Sequence, residues 1–242
     1  MSRDYGSAGR IAVATPQANP TVEAEFGVLL PRRATLHITR LQSRAADSRG
    51  RLIDYLENLY ASVVSFDSFR PDAFGFACTG SSYFVGTERE AEILAEVQSR
   101  TGLSIVTATA AILWRLEQLG ARRIALLSPY PPPLAEAATR FWQQAGLSIV
   151  RTANVAIASA DTRGIYELRA ADAAPVLAGL DLSGLDAVLI SGTGMPSLQL
   201  IAQWPHALPL LSSNLCLAAR LLDRIGRPDA LAGWPSRLAE AL

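Results

Sequence analysis

Asp72-Ala73-Phe74-Gly75-Phe76-Ala77-Cys78-Thr79-Gly80-Ser81-Ser82-Tyr83 runs from an apolar stretch straight into small hydroxyl residues, with a thiol at the junction. Phe74, Phe76 and their neighbours predict a short buried strand. Thr79 to Ser82 are poor strand formers, and Thr87-Glu88-Arg89-Glu90 carries the capping-box pattern of a helix start. In an open parallel sheet ligands bind at the carboxyl ends of strands, where the following backbone offers free N–H groups to an anion. Cys78 therefore stands where chemistry usually sits. A lone cysteine in an apolar run is more often a small core hydrophobe, but the hydroxyls and glycines around Cys78 argue for a site.

Outward from this stretch, Arg10-Ile11-Ala12-Val13-Ala14-Thr15-Pro16 reads as a first buried strand, followed by the polar loop Gln17-Ala18-Asn19-Pro20-Thr21. A helix from about Val22 to Leu30 follows, with Glu23 and Glu25 at the positive end of its dipole. Leu36 to Leu41 alternates like a strand, and Leu52 to Phe69 carries apolar residues at helical spacing. Beyond the cysteine, Glu88 to Thr101 predicts a helix stopped by Gly102, Leu103 to Thr107 a strand, and Ala108 to Leu119 a helix stopped by Gly120. Strands alternating with helices at this spacing argue for a parallel sheet.

The second half repeats the first. Arg10-Ile11-Ala12 with Thr15-Pro16 returns as Arg123-Ile124-Ala125 with Ser128-Pro129, and Phe76-Ala77-Cys78-Thr79-Gly80 returns as Ile190-Ser191-Gly192-Thr193-Gly194 after the apolar run Leu185 to Ile190. Leu103 to Thr107 and a helix with Arg115-Leu116 return as Leu208 to Ser212 and a helix with Arg220-Leu221. Such a duplication predicts an α/β fold of two pseudo-symmetric, Rossmann-like domains with parallel sheets and an active-site cleft between them. Residues 1–107 form the first domain, with 213–242 packing back on it, and residues 108–212 form the second. Cys78 and Gly192 then face each other across the cleft, which holds one thiol rather than two.

The chain has 242 residues, 50% of them hydrophobic and 18% charged, with a formal net charge of zero. That is the profile of a compact folded protein. Balanced charge without a basic cluster gives no footprint for nucleic acid, and no run approaches a membrane span. Met1 to Arg10 lacks the apolar core of a signal peptide, so the expected location is cytoplasmic. Cys78 and Cys216 fit no metal spacing and no disulfide framework, and with His37 and His206 as the two histidines no metal site is expected. The partner is a small molecule; a homo-oligomer is compatible with the sequence.

Thr15, Asn19, Thr79, Ser81, Ser82, Ser128, Tyr130, Thr193, Ser212, Ser213 and Asn214 all follow apolar strands. Any one of them is more often a helix cap. As a set they predict a cleft rimmed by neutral donors, able to bind a carboxylate and to hold the extra charge when electrons move from carbon onto it. A thiolate at a helix N-terminus is expected to have a lowered pKa and to attack carbon, while the thiol can deliver a proton. Neither role needs a cofactor. No glycine-rich phosphate loop of standard spacing is present, and neither histidine lies near a strand-end serine in sequence.

Pro16-Gln17-Ala18-Asn19-Pro20-Thr21-Val22-Glu23, Cys78-Thr79-Gly80-Ser81-Ser82, Ser128-Pro129-Tyr130 and Ser191-Gly192-Thr193-Gly194 together resemble the aspartate/glutamate racemase superfamily. The resemblance spans nearly the whole chain and is greatest to the branch of maleate cis–trans isomerases and arylmalonate decarboxylases. It implies no cofactor, a small carboxylate or dicarboxylate substrate, and up to two facing cysteines. Carried over, Cys78 matches the nucleophile of the isomerases, Asn19 their substrate-binding asparagine, Tyr130 the carboxylate-binding tyrosine, and Thr79 a hydroxyl of the dioxyanion hole. Gly80, Ser81, Gly192, Thr193 and Gly194 complete the expected binding set. The departure is Gly192, which stands where the second cysteine would be; Cys216 falls inside a helix opposite Ala111 and reads as core.

Two-base racemisation needs a group on each face of the carbon, so Gly192 places racemase third. Cis–trans isomerisation by one nucleophile ranks first, with Cys78 adding to a double bond. Decarboxylation with Cys78 as proton donor is the alternative. A binding protein that kept the cleft without the chemistry belongs to a different class, and Cys78→Ala with affinity intact and no turnover would identify it.

Overall fold

Seven residues from Arg10 to Pro16 form β1, buried from Ile11 onward on both faces, the pattern of a strand with helices above and below it. The computed structural model describes residues 4–241. The first half continues with α1 (Thr21–Leu29), β2 (Thr35–Leu41), α2 (Ser48–Glu57), α3 (Leu59–Val64), β3 (Ala73–Phe76), α4 (Thr79–Val85), α5 (Thr87–Thr101), β4 (Ile105–Thr107) and α6 (Ala108–Gln118). The second half runs β5 (Arg123–Ser128), α7 (Pro132–Gln144), β6 (Ser148–Asn154), a 3-10 helix (Thr162–Glu167), α8 (Ala170–Ala178), β7 (Ala187–Ile190), α9 (Leu198–Ala202), β8 (Leu210–Ser212), α10 (Ser213–Arg224), a 3-10 helix (Pro228–Leu231) and α11 (Trp234–Ala241).

The strands make two four-stranded sheets, ordered β2-β1-β3-β4 and β6-β5-β7-β8, and every pairing is parallel. The identical order is the architectural form of the internal repeat. Each site strand is extended by one residue in the same way: Ala77 N–H donates to Ala14 O at 2.8 Å, and Ser191 N–H donates to Leu127 O at 2.8 Å. Cys78 and Gly192 are therefore the first residues released from their ladders.

Three local readings change. The stretch Thr79 to Ser82, with a helix start expected only at Thr87, is the first turn of α4, so the thiol is followed immediately by helix. The single helix expected over Leu52 to Phe69 breaks into α2 and α3 at Asn58, whose φ of −96° and ψ of 16° leave the helical basin. The capping box at Thr87 does not form; α5 starts from Gly86 without a side-chain cap, and Glu90 turns inward to accept from Thr107 Oγ1 at 2.9 Å.

One hydrophobic core runs through both sheets. Helix α10 lies on the first sheet, where a Cβ on Gly75 would sit 2.9 Å from Leu221 Cδ1, so a side chain there would have to push Leu221 aside. Arg237 of α11 donates to Val28 O at 2.6 Å and Leu29 O at 2.8 Å, satisfying carbonyls at the end of α1. Among the described residues, no helix is long and apolar enough to cross a membrane.

Candidate active site

The released ends of β3 and β7 meet at one cavity. Its wall is Pro16 at the end of β1 and Asn19 after it, Cys78, Thr79 and Gly80 after β3, Tyr130 after β5, Gly192, Thr193 and Gly194 after β7, with Leu52, Leu134, Thr162, Ile165 and Tyr166 completing it. The cavity has a volume of about 40 Å³, room for a few water molecules. Among the described residues no Arg, Lys, His, Asp or Glu lines it, and no group of His, Cys, Asp and Glu is placed to hold a metal.

Cys78 caps α4 from extended backbone, with φ of −151° and ψ of 96°. It is 4% exposed, and its Sγ accepts a hydrogen bond from Ser81 Oγ at 3.2 Å. Burial pushes the thiol pKa up, outweighing the Ser81 hydroxyl and the backbone N–H groups of Ser81 and Gly80 that pull it down. The expectation of a lowered pKa is thus reversed, and the resting group at neutral pH is the thiol. Cys216 is core, as its position in the repeat indicates, with its pKa pushed up to about 12 by burial.

Four hydroxyls form a chain across the boundary between the halves. Thr79 Oγ1 and Tyr130 Oη are 2.7 Å apart, Tyr130 Oη and Ser191 Oγ 3.4 Å, and Ser191 Oγ and Tyr83 Oη 2.7 Å. Each hydroxyl has one proton to give. With all three contacts kept as hydrogen bonds, one proton of the four remains for a ligand, offered by Thr79 or by Tyr130. For both to donate at once, the Thr79–Tyr130 contact must open.

Asn19 is fixed at both ends of its amide: Oδ1 accepts from Thr21 N at 2.9 Å, and Nδ2 donates to Thr193 Oγ1 at 3.3 Å. The Thr193 hydroxyl in turn donates to Ala77 O at 2.9 Å, which consumes its proton and ties the loop after β7 to the cysteine strand. Of the binding residues expected from sequence, all but Ser81 line the cavity. Ser81 lies fully buried behind the thiol. Ser212 and Ser213 are structural: Ser212 Oγ caps α10 through Leu215 N at 3.3 Å, and Ser213 Oγ accepts from Gly192 N at 3.1 Å.

Two supports surround the site. Glu25 of α1 is buried and accepts from Leu198 N at 3.1 Å, Ser197 Oγ at 2.9 Å and Asn214 Nδ2 at 2.7 Å, while Asn214 Nδ2 also reaches Thr193 O at 3.1 Å. Burial raises the Glu25 pKa, and these donors partly offset it. On the opposite side, Arg51 of α2 pairs with Asp161 at 2.5 Å, and Thr162 N donates to Ser48 Oγ at 3.1 Å. These contacts strap the segment carrying Thr162, Ile165 and Tyr166 onto the first half.

Sequence reasoning missed Pro16, Leu52, Leu134, Thr162, Ile165, Tyr166 and the buried pair Tyr83–Ser191. Some were findable. The same number of residues separates Cys78 from Gly192, Pro16 from Tyr130, Leu52 from Tyr166 and Thr79 from Thr193, so each wall position in one half nominates its repeat partner in the other.

Residues 51–237 match the family described as arylmalonate decarboxylase. The maleate isomerase of Nocardia farcinica (strain IFM 10152) is 28% identical over 236 residues, covering 93% of each chain. The maleate isomerase of Pseudomonas putida is 25% identical over 207 residues, 80% of this chain and 82% of the other. A structure of the Nocardia farcinica maleate cis–trans isomerase, a cysteine-to-serine mutant with a covalently bound succinylcysteine intermediate, matches with a TM-score of 0.80 at 25% identity, over 90% of this chain and 92% of that one. A structure of arylmalonate decarboxylase matches in fold with a TM-score of 0.67 at 19% identity, over 88% and 92% of the two chains.

Proposed function

The chain belongs to the arylmalonate decarboxylase family, and from that membership we propose that it is a cofactor-independent cis–trans isomerase of a small unsaturated dicarboxylate of the maleate type, with Cys78 as nucleophile. The observation that carries the reading is Cys78, the one thiol on the wall of a cavity whose other polar groups are neutral donors. Sequence relatives named maleate isomerase, and the succinylcysteine intermediate solved in one of them, support it.

In this mechanism the Cys78 thiol loses its proton and Sγ bonds to one alkene carbon. The π electron pair moves through the other carbon onto its carboxylate, giving a dioxyanion. The Asn19 amide and the Thr79–Tyr130 hydroxyl pair are placed to hold that charge, each charge-assisted bond being worth about 1.5–3 kcal/mol. The former double bond is now single and rotates; the pair then returns and expels sulfur. No proton has to be placed on carbon, so Gly192 in place of a second thiol is compatible with turnover. With no basic side chain on the wall among the described residues, the thiol proton passes to water or to a carboxylate of the bound substrate.

The same family match motivates a second reading, in which Cys78 protonates the carbanion left by decarboxylation of an arylmalonate. The relatives named maleate isomerase favour the aliphatic acid. A division of the chain into residues 1–107 with 213–242, and 108–212, is part of the proposal, supported by the two separate sheets and by α10 on the first of them.

Incubation with maleate and, separately, with an arylmalonate decides between the readings. Fumarate formation that falls by several kcal/mol of barrier in Cys78→Ser is the expected result. Carbon dioxide release from the arylmalonate alone would replace it with the second reading, and a fully active Cys78→Ser would overturn both.

A further inference from the structure

A serine in the first turns of a helix ordinarily returns its hydroxyl to a carbonyl three or four residues back. Behind Ser81 the carbonyl of Ala77 accepts from Thr193 Oγ1 at 2.9 Å. The Ser81 hydroxyl points instead at sulfur, 3.2 Å from Cys78 Sγ, and the residue is fully buried off the cavity wall. Resting on the reading of Cys78 as nucleophile, we infer that Ser81 is a positioning residue for the thiolate: its hydroxyl donates to Sγ and holds the sulfur toward the cavity, and it does not bind substrate.

The chemistry requires such a donor. A buried thiolate with no cationic side chain on the cavity wall among the described residues is stabilised by dipoles, and each one removed disfavours the charged form. The other donors to Sγ are the backbone N–H groups of Gly80 and Ser81. The Ser81 hydroxyl is thus the part of the thiolate's environment that a side-chain substitution can delete.

The test is a spectroscopic titration of the whole chain without substrate, following the ultraviolet absorbance of the thiolate as the difference from Cys78→Ala, in a Cys216→Ser background. Ser81→Ala is expected to raise the Cys78 midpoint by about one pH unit and to lower the thiolate population on the neutral side about tenfold. Its thermal midpoint should stay close to wild type, because alanine favours the helix. On a turned-over substrate the loss should fall in kcat, with KM little changed, and Ser81→Thr, which keeps the hydroxyl, should restore the midpoint. A folded Ser81→Ala with an unmoved midpoint overturns the inference. A raised KM at an unmoved midpoint assigns Ser81 to the substrate instead. If Ser81→Thr does not fold, the alanine variant alone decides. Because the titration needs no turnover, failure of the isomerase reading and failure of this inference are separate results.

Discussion

Gly192 is the residue at which this site departs from a two-thiol arrangement, and its backbone accounts for more than the missing sulfur. Its φ of +119° lies where L side chains rarely sit, and a Cβ there would be 3.2 Å from Tyr130 Oη. Because Gly192 stands where a second cysteine would be, Gly192→Cys would supply the second group that two-base racemisation needs, and with it proton exchange at the α-carbon. The structure predicts otherwise: the variant should lose about 1–3 kcal/mol of stability through strain, and it should push Tyr130 off its 2.7 Å contact with Thr79, lowering kcat/KM. Denaturant unfolding and steady-state kinetics check both. A variant as stable as wild type that also takes up deuterium at the α-carbon would show that this backbone accepts the thiol after all. The same residue-scale physics explains the error over the Cys78 pKa: the sequence displays the hydroxyls that lower it, whereas the desolvation that raises it exists only in the folded chain.

At the scale of elements, the loop after β7 is held by a helix of the other half. Glu25 projects from α1 into the start of α9, and the donors around it, Ser197 Oγ, Leu198 N and Asn214 Nδ2, lose their acceptor together if it is removed. An unsatisfied buried donor costs about 1–3 kcal/mol, so Glu25→Ala should lower stability by about 3 kcal/mol or more. It should also lower activity at permissive temperature, since Asn214 and the Gly192–Gly194 segment lose their brace. Thermal unfolding with activity measured well below the transition separates the two effects, and a change within about 0.5 kcal/mol, the ordinary surface range, would remove Glu25 from this role. From sequence, Glu25 reads as an acid at the positive end of a helix dipole. The polar loop Gln17 to Thr21 and the acids that follow it do locate α1 correctly, because helix-start signals are local. What Glu25 touches is a property of the inter-half contact, which the chain reaches only through residues far away in sequence. Strand ends, helix stops and the repeat were legible for the same reason that Glu25 was not. The seven-residue α4 was misread because Thr79 to Ser82 have weak helix propensity and gain their helix from burial against the core.

For the molecule as a whole, the two halves meet where repeat-equivalent elements touch. Ser48 opens α2 and Thr162 opens the 3-10 helix at the corresponding place of the second half, and Thr162 N donates to Ser48 Oγ at 3.1 Å. Beside this contact Arg51, buried in the first half, donates to Ala46 O at 2.8 Å and pairs with Asp161 at 2.5 Å, while Arg163, on the second half, takes the other Asp161 oxygen at 2.8 Å. Arg163 and then Arg51 hold the Asp161 carboxyl below the usual carboxylate range against the opposing effect of burial. A depressed folded pKa means that the clasp is complete above the ordinary carboxylate pKa and is lost as pH falls through the folded value, so near neutral pH the strap is closed. Arg51→Ala should therefore loosen the segment that presents Thr162, Ile165 and Tyr166 to the cavity without touching the thiol. The expected result is a KM raised about tenfold, the equivalent of one charge-assisted hydrogen bond, a smaller change in kcat, and faster amide exchange over residues 158–168. Arg163→Ala is the control, since it shares the same carboxylate from within the second half and is 63% exposed in its side chain. It should change KM by less than about threefold, as exposed pairs contribute little. If both variants behave alike, Asp161 matters for its own loop and the two halves are not clasped through it.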